Sequence, residues 1–144
     1  MERHLFSRLF SKRELHPVWS MAMIGEFDSG THFSVRVYAK EGPVAHFHVV
    51  DTKTKKEGCV KIEKAEYFSH GKKTLTFSSG QKKQLQKFLK TVSPYPEDGG
   101  KTYYDLIWEE WNRNNREHRI EKPEVMPNYE LLKEDNNKKK RKED

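Results

Sequence analysis

His46 and His48 stand one residue apart in Pro43-Val44-Ala45-His46-Phe47-His48-Val49-Val50, an apolar and β-branched run. Side chains at i and i+2 of a strand share a face. Both imidazoles therefore lie side by side on one surface, while Ala45, Phe47 and Val49 turn to the core. Such a pair suits a metal, a phosphate or a bound partner. A hairpin with the preceding strand brings Arg36 and Tyr38 to the same face, because cross-strand neighbours lie roughly 4.5–5.5 Å apart. The hairpin is expected to hold all four side chains out to solvent, as one binding surface.

Three readings of that surface follow. As a metal site, His46 and His48 need further donors, for which Glu63, His32 and His70 are the candidates. As a catalytic group, His46 and His48 would be general acid and base, with Arg36 holding an anion and Tyr38 donating a hydrogen bond, as in a metal-independent ribonuclease. The plainest reading has half-exposed rings packed on aromatic neighbours. No cofactor is implied.

The elements that carry these residues are read from period and punctuation. Leu5, Phe6, Leu9 and Phe10 form an apolar stripe on a short, basic helix, and His16-Pro17 ends it. Four strand candidates follow: Trp19–Phe27, Thr31–Ala39, Val44–Asp51 and Cys59–Glu63. The Asp28-Ser29-Gly30 and Lys40-Glu41-Gly42-Pro43 turns and the Thr52–Gly58 connection separate them. Connections this short favour antiparallel neighbours. Ser78 and Gln81 read as a capping box opening a helix with Leu85, Phe88, Leu89 and Val92 on one face. Thr102 and Asp105 repeat the start signal before Tyr104, Ile107, Trp108 and Trp111. The fold class is α+β: a four-stranded antiparallel meander covered on one face by two C-terminal helices, plus the short N-terminal helix. Residues 1–13 are that helix, 14–115 the core domain, 116–132 a docked or extended arm, and 133–144 a disordered basic tail.

Composition sets the outer bounds. A chain of 144 residues suits one core. The charged fraction of 35% pulls toward disorder, but 12% aromatics argue for a packed body with polar extensions. Cys59 is alone, which excludes an internal disulfide and a thiolate zinc cluster. It also fits a reducing cytoplasm. The N-terminus lacks the apolar centre of a signal peptide, and no run approaches the ~20 apolar residues of a membrane span. The formal charge is +6. Lys138, Lys139, Lys140, Arg141 and Lys142 make the tail a candidate grip for phosphates or for an acidic protein.

Two further groups have structural readings. Tyr67-Phe68 is expected to plug the core rather than stack on a base. Trp108 and Trp111 are expected to anchor their helix, with Asn112-Arg113-Asn114-Asn115 as its C-terminal cap. A nucleophile paired with a base, a Gly-rich phosphate loop, an acidic metal cluster and a dinucleotide fingerprint are all missing from the sequence, which lowers the expectation of an enzyme.

Several segments carry a resemblance: His16-Pro17-Val18-Trp19-Ser20-Met21-Ala22-Met23-Ile24-Gly25, His46-Phe47-His48-Val49, Lys64-Ala65-Glu66-Tyr67-Phe68, Trp108-Glu109-Glu110-Trp111-Asn112 and Met126-Pro127-Asn128-Tyr129. Over most of residues 14–132 the chain resembles a group of short uncharacterised proteins of gut bacteria and their phages or mobile elements. More distantly, its element order is similar to a bacterial domain-of-unknown-function family with a Pro-His-x-His-Val motif, found in toxin–antitoxin-like pairs. Here Ala45 takes the place of that proline. The resemblance implies the fold and a mobile-element setting, and no activity.

The expectation is a small non-enzymatic binding protein acting on nucleic acid or on a nucleic-acid-handling protein, as a toxin–antitoxin component or an inhibitor of a host defence nuclease. A nuclease using His46 and His48 and a phage accessory or structural protein are the alternatives. Candidate binding residues are Arg36, Tyr38, His46, His48 and the tail cations. The N-terminal stripe makes a homodimer possible.

Overall fold

The structure is a computed structural model in which residues 21–69 and 75–133 are described. The expected N-terminal helix, His70 and the tail cations Lys138, Lys139, Lys140, Arg141 and Lys142 lie outside them. The four strands are β1 (Met21–Asp28), β2 (His32–Tyr38), β3 (His46–Asp51) and β4 (Glu57–Lys61). They form one antiparallel sheet in the order β1-β2-β3-β4, the expected meander. Two helices follow, α1 (Ser79–Lys90) and α2 (Tyr103–Asn114).

Period two explains the first layer. Phe33, Val35 and Val37 of β2, Phe47 and Val49 of β3 and Val60 of β4 share one face and are buried. Leu85, Phe88 and Leu89 of α1 and Leu106, Ile107 and Trp111 of α2 close over that face in one core. Each helix starts where a capping box satisfies its first amides: the Ser78 hydroxyl accepts from Gln81 N–H, and the Thr102 hydroxyl from Asp105 N–H. Gly25 lets the helix layer approach closely, since a Cβ there would come within 2.9 Å of the Phe88 ring and 3.0 Å of Tyr103. Those two rings stack at 4.4 Å.

Residues past α2 dock rather than extend. Tyr129 is fully buried; its amide donates to Gln86 Oε1 (2.7 Å) and its hydroxyl donates to the Lys61 (2.8 Å) and Ile62 (2.9 Å) carbonyls. Tyr67 bridges Val60 of β4, and its hydroxyl accepts from Phe77 N–H at 2.9 Å. None of the described helices is long and apolar enough to cross a membrane.

Candidate functional site

Both imidazoles are on one face, as the spacing requires, but they are not at the surface. His46 and His48 are each 1% exposed. This corrects the expectation that the hairpin holds them out to solvent. Among the described residues, part of their cover is a loop the strand pattern does not describe. Between β2 and β3 the chain folds back over the polar face, and the end of α2 pins it there. Lys40 N–H donates to the Asn114 carbonyl (3.3 Å), and Glu41 N–H donates to Asn115 Oδ1 (2.8 Å). The Asn115 side chain in turn donates to the Tyr38 carbonyl (3.0 Å). The His118 ring lies so close on Gly42 that a Cβ would overlap it, at 1.8 Å. Asn114 and Asn115, read from sequence as a helix cap, also set the position of Glu41.

Glu41 completes the cluster. One of its carboxylate oxygens, Oε1, lies 3.2 Å from His46 Nε2 and 2.5 Å from His48 Nε2. The other ring nitrogens are held as well. His46 Nδ1 donates to the Val44 carbonyl (2.7 Å), and His48 Nδ1 donates to Glu57 Oε1 (2.7 Å). Cys59, directly opposite His48 in the β3–β4 register, sets its sulfur 3.5 Å from Nδ1 and 3.9 Å from Nε2 of that ring. Aromatic rings close the walls. Tyr38 meets His48 edge-on at 4.4 Å, Phe68 lies 4.7 Å from His46, and Trp111 lies 5.4 Å from it.

The electrostatics follow from this packing. Burial disfavours charge on His48, but its contacts with Cys59, Glu41 and Glu57 outweigh that and push its pKa up to about 10. Burial likewise disfavours charge on Glu41, and the two imidazoles overcome it, holding the carboxyl well below the usual carboxylate range.

The sequence-derived site residues divide accordingly. Arg36 is the register partner of His48, and its Nε donates to Ser34 Oγ at 3.1 Å. Tyr38 packs on His48 as a wall. Of the expected additional metal donors, His32 sits at the far end of β2 beside Glu26 and Asp28, and Glu63 is exposed beyond β4. The groups that do reach the two imidazoles are Glu41, Glu57 and Cys59. Cys59 was within reach of the sequence, since pairing β3 with β4 places it opposite His48, whereas Glu57, opposite Val50, falls in what reads as the Thr52–Gly58 connection. Nothing in the local pattern points to Glu41.

A second cluster lies on the outer side of α2. Asn112 both donates to the Ile120 carbonyl (2.9 Å) and accepts from Ile120 N–H (2.8 Å), and Trp108 Nε1 donates to the same carbonyl (3.0 Å). Trp111 Nε1 donates to the His118 carbonyl at 2.8 Å. These bonds lay residues 116–120 along the helix. Arg113, Arg116 and Arg119 thereby gather around half-buried Trp108, lining a cleft of about 470 Å³ with Glu109 and Asn112. Glu109 is paired to Lys101 at 2.5 Å.

Comparison of the chain with family models, curated proteins and solved structures finds no match in any of the three.

Proposed function

We propose that the protein is a non-enzymatic nucleic-acid-binding protein that takes a single strand in the cleft beside α2. The observation that carries this reading is a cleft lined by Arg113, Arg116 and Arg119 together with half-buried Trp108, Arg113 also lying 3.8 Å from Glu110. A guanidinium fork matches phosphate oxygens two at a time. A tryptophan flank accepts a base of any sequence, worth about 1–3 kcal/mol per stacked base. The net charge of +6 favours approach of a polyanion.

Burial of the histidines bears on the nuclease alternative. A polymer bond must touch its acid and base within hydrogen-bond reach, and rings that are 1% exposed offer no such contact. The mobile-element setting implied by the resemblance, a toxin–antitoxin component or an inhibitor of a host defence nuclease, is one that a small basic binder of this kind serves.

The test is a salt titration of full-length chain with single-stranded RNA and DNA. Affinity is expected to fall steeply with salt. The Arg113→Gln/Arg116→Gln/Arg119→Gln variant should flatten the log–log slope by about 0.7 for each phosphate it no longer neutralises, with an unchanged circular dichroism spectrum. Neutralising Lys138, Lys139, Lys140, Arg141 and Lys142 as a separate variant apportions the tail's share. Binding that the triple arginine variant leaves untouched overturns the reading. So does salt-independent capture of a nuclease by a chain that holds no nucleic acid, because the partner is then a protein.

A further inference from the structure

The buried cluster is more specific than a packing role requires. Consider where each imidazole nitrogen is committed. Nδ1 of His46 is held by a backbone carbonyl and Nδ1 of His48 by a carboxylate. A proton on each Nδ1 leaves the Nε2 lone pairs, and both Nε2 atoms converge on the same oxygen of Glu41. Three acceptor atoms cannot face one another at 2.5–3.2 Å unless a cation lies among them. A proton on each Nε2 would serve, and so would a single metal ion.

Ligand histidines nearly always donate their second ring nitrogen to a carboxylate or a backbone carbonyl, which fixes the tautomer and the ring angle. His48–Glu57 is the first arrangement and His46–Val44 the second. Cys59 adds a soft donor, because its Sγ and one nitrogen of each histidine all lie within 4.8 Å of one another; Glu41 stands outside that trio and joins it through the two imidazole nitrogens. Ligand atoms around a tetrahedral zinc ion stand about 3–4 Å apart, given Zn–N near 2.0 Å and Zn–S near 2.3 Å. The His46–Glu41 separation of 3.2 Å falls in that range, while Cys59 Sγ, 3.5 Å from Nδ1 and 3.9 Å from Nε2 of His48, lies beside the ring and would turn toward the ion by rotation about its Cα–Cβ bond. Glu41 would draw back slightly from His48, as its place on a loop allows.

We infer that His46, His48, Cys59 and Glu41 form a closed structural site for a divalent transition-metal ion, Zn²⁺ by donor type, with Glu57 orienting His48 from behind. Two neutral imidazoles, a thiolate and a carboxylate neutralise the ion. Nitrogen and sulfur donors select against magnesium and calcium. Four protein donors leave no open position for a substrate, so the site is structural rather than catalytic. It ties the β2–β3 loop to β3 and β4.

The test uses the full chain, first depleted with a chelator and then titrated with Co²⁺ and Zn²⁺. Saturation at a single equivalent is expected, with the visible bands of tetrahedral Co²⁺ and a near-ultraviolet thiolate-to-metal band. Zn²⁺ should abolish both and raise the melting temperature. Cys59→Ser should lose the thiolate band and keep the visible ones. Glu57→Gln should keep the fold and bind about 10–100-fold more weakly. His46→Gln and His48→Gln should remove binding. If either histidine variant fails to fold, the Cys59 and Glu57 variants decide the matter. A folded chain that takes up no ion overturns the inference in favour of two protons on the imidazoles. Uptake that Cys59→Ser and Glu57→Gln leave unchanged places the ion elsewhere and overturns it as well.

Discussion

On one face of the sheet, Phe33, Val35, Phe47, Val49 and Val60 are dry because helices cover them with apolar surface. On the other, His46, His48 and Cys59 are equally dry, but among the rings that wall them in stand carboxylates and a pinned loop. The first face asks only for the right volume and tolerates exchange among apolar residues. The second has to satisfy each nitrogen and oxygen individually, because an unpaired polar group in that setting costs more than a paired one returns. Equal burial therefore hides unequal demands, and substitutions can separate them.

The largest loss belongs to the apolar face. Phe47→Ala removes a fully buried ring that also meets Tyr129 edge-on at 5.9 Å. It should cost about 3–5 kcal/mol in urea unfolding, with the slope of the transition unchanged. A loss below 1 kcal/mol would mean that the helix layer can collapse into the gap and that this face is not tightly packed.

The polar face should yield at its fastening rather than at its rings. Asn115 is 4% exposed, accepts the Glu41 amide and donates to the carbonyls of Tyr38 and Trp111. Asn115→Ala leaves those buried groups without their partner, at a cost of about 1–3 kcal/mol. Amide exchange should accelerate at Glu41 and at its neighbours in the loop, while the Val49 amide in β3 keeps its protection. Equal loosening of Val49 would show that the two faces are one cooperative unit, and the contrast between them would fail.

How much of the molecule is legible in its sequence follows the same division. Alternation places Phe33, Val35 and Val37 on one face and His46 with His48 on the other, and both assignments hold because they need only the two-residue period. The capping boxes at Ser78 and Thr102 are equally local. Burial of the imidazoles is not legible, because their cover is held by a contact between Glu41 and Asn115, 74 positions apart in the chain. Polarity along a strand suggests water, whereas here polar groups cover one another. The fourth strand begins at Glu57 rather than Cys59. Glu57-Gly58 reads as the end of a turn, and that reading hides the carboxylate that holds His48.

The helix starts permit a smaller, matched comparison. Thr102→Ala and Ser78→Ala each delete a hydroxyl that accepts an N3 amide, with an expected cost of about 1 kcal/mol apiece. Asp105 in the first box also pairs with Lys122, so loss of Thr102 should in addition loosen the segment after α2. Proteolysis near Lys122 would report this, and Ser78→Ala should leave that site as protected as in wild type.

The smallest effect isolates burial from composition, because the chain contains a wet counterpart of His48. His32 lies on the same sheet face and, like His48, has a carboxylate at each ring nitrogen: Asp28 at Nδ1 and Glu26 at Nε2. Its side chain is 40% exposed, against 1% for His48. The hydrogen bond to Asp28 raises its pKa most, slight burial opposes, and Glu26 adds to the rise. A histidine whose pKa is higher folded than unfolded stabilises the fold while it is protonated in the folded state. That stabilisation is complete below the unfolded value of about 6.5 and disappears as pH rises through the folded value. Solvent screening keeps it under about 1 kcal/mol. The stability difference between wild type and His32→Gln, measured in urea from about pH 5 to pH 9, should accordingly favour wild type at the acid end and vanish at the alkaline end. A difference that grows with pH has the wrong sign for a protonated imidazole between two carboxylates. It would mean that His32 acts there as a neutral hydrogen-bonding group.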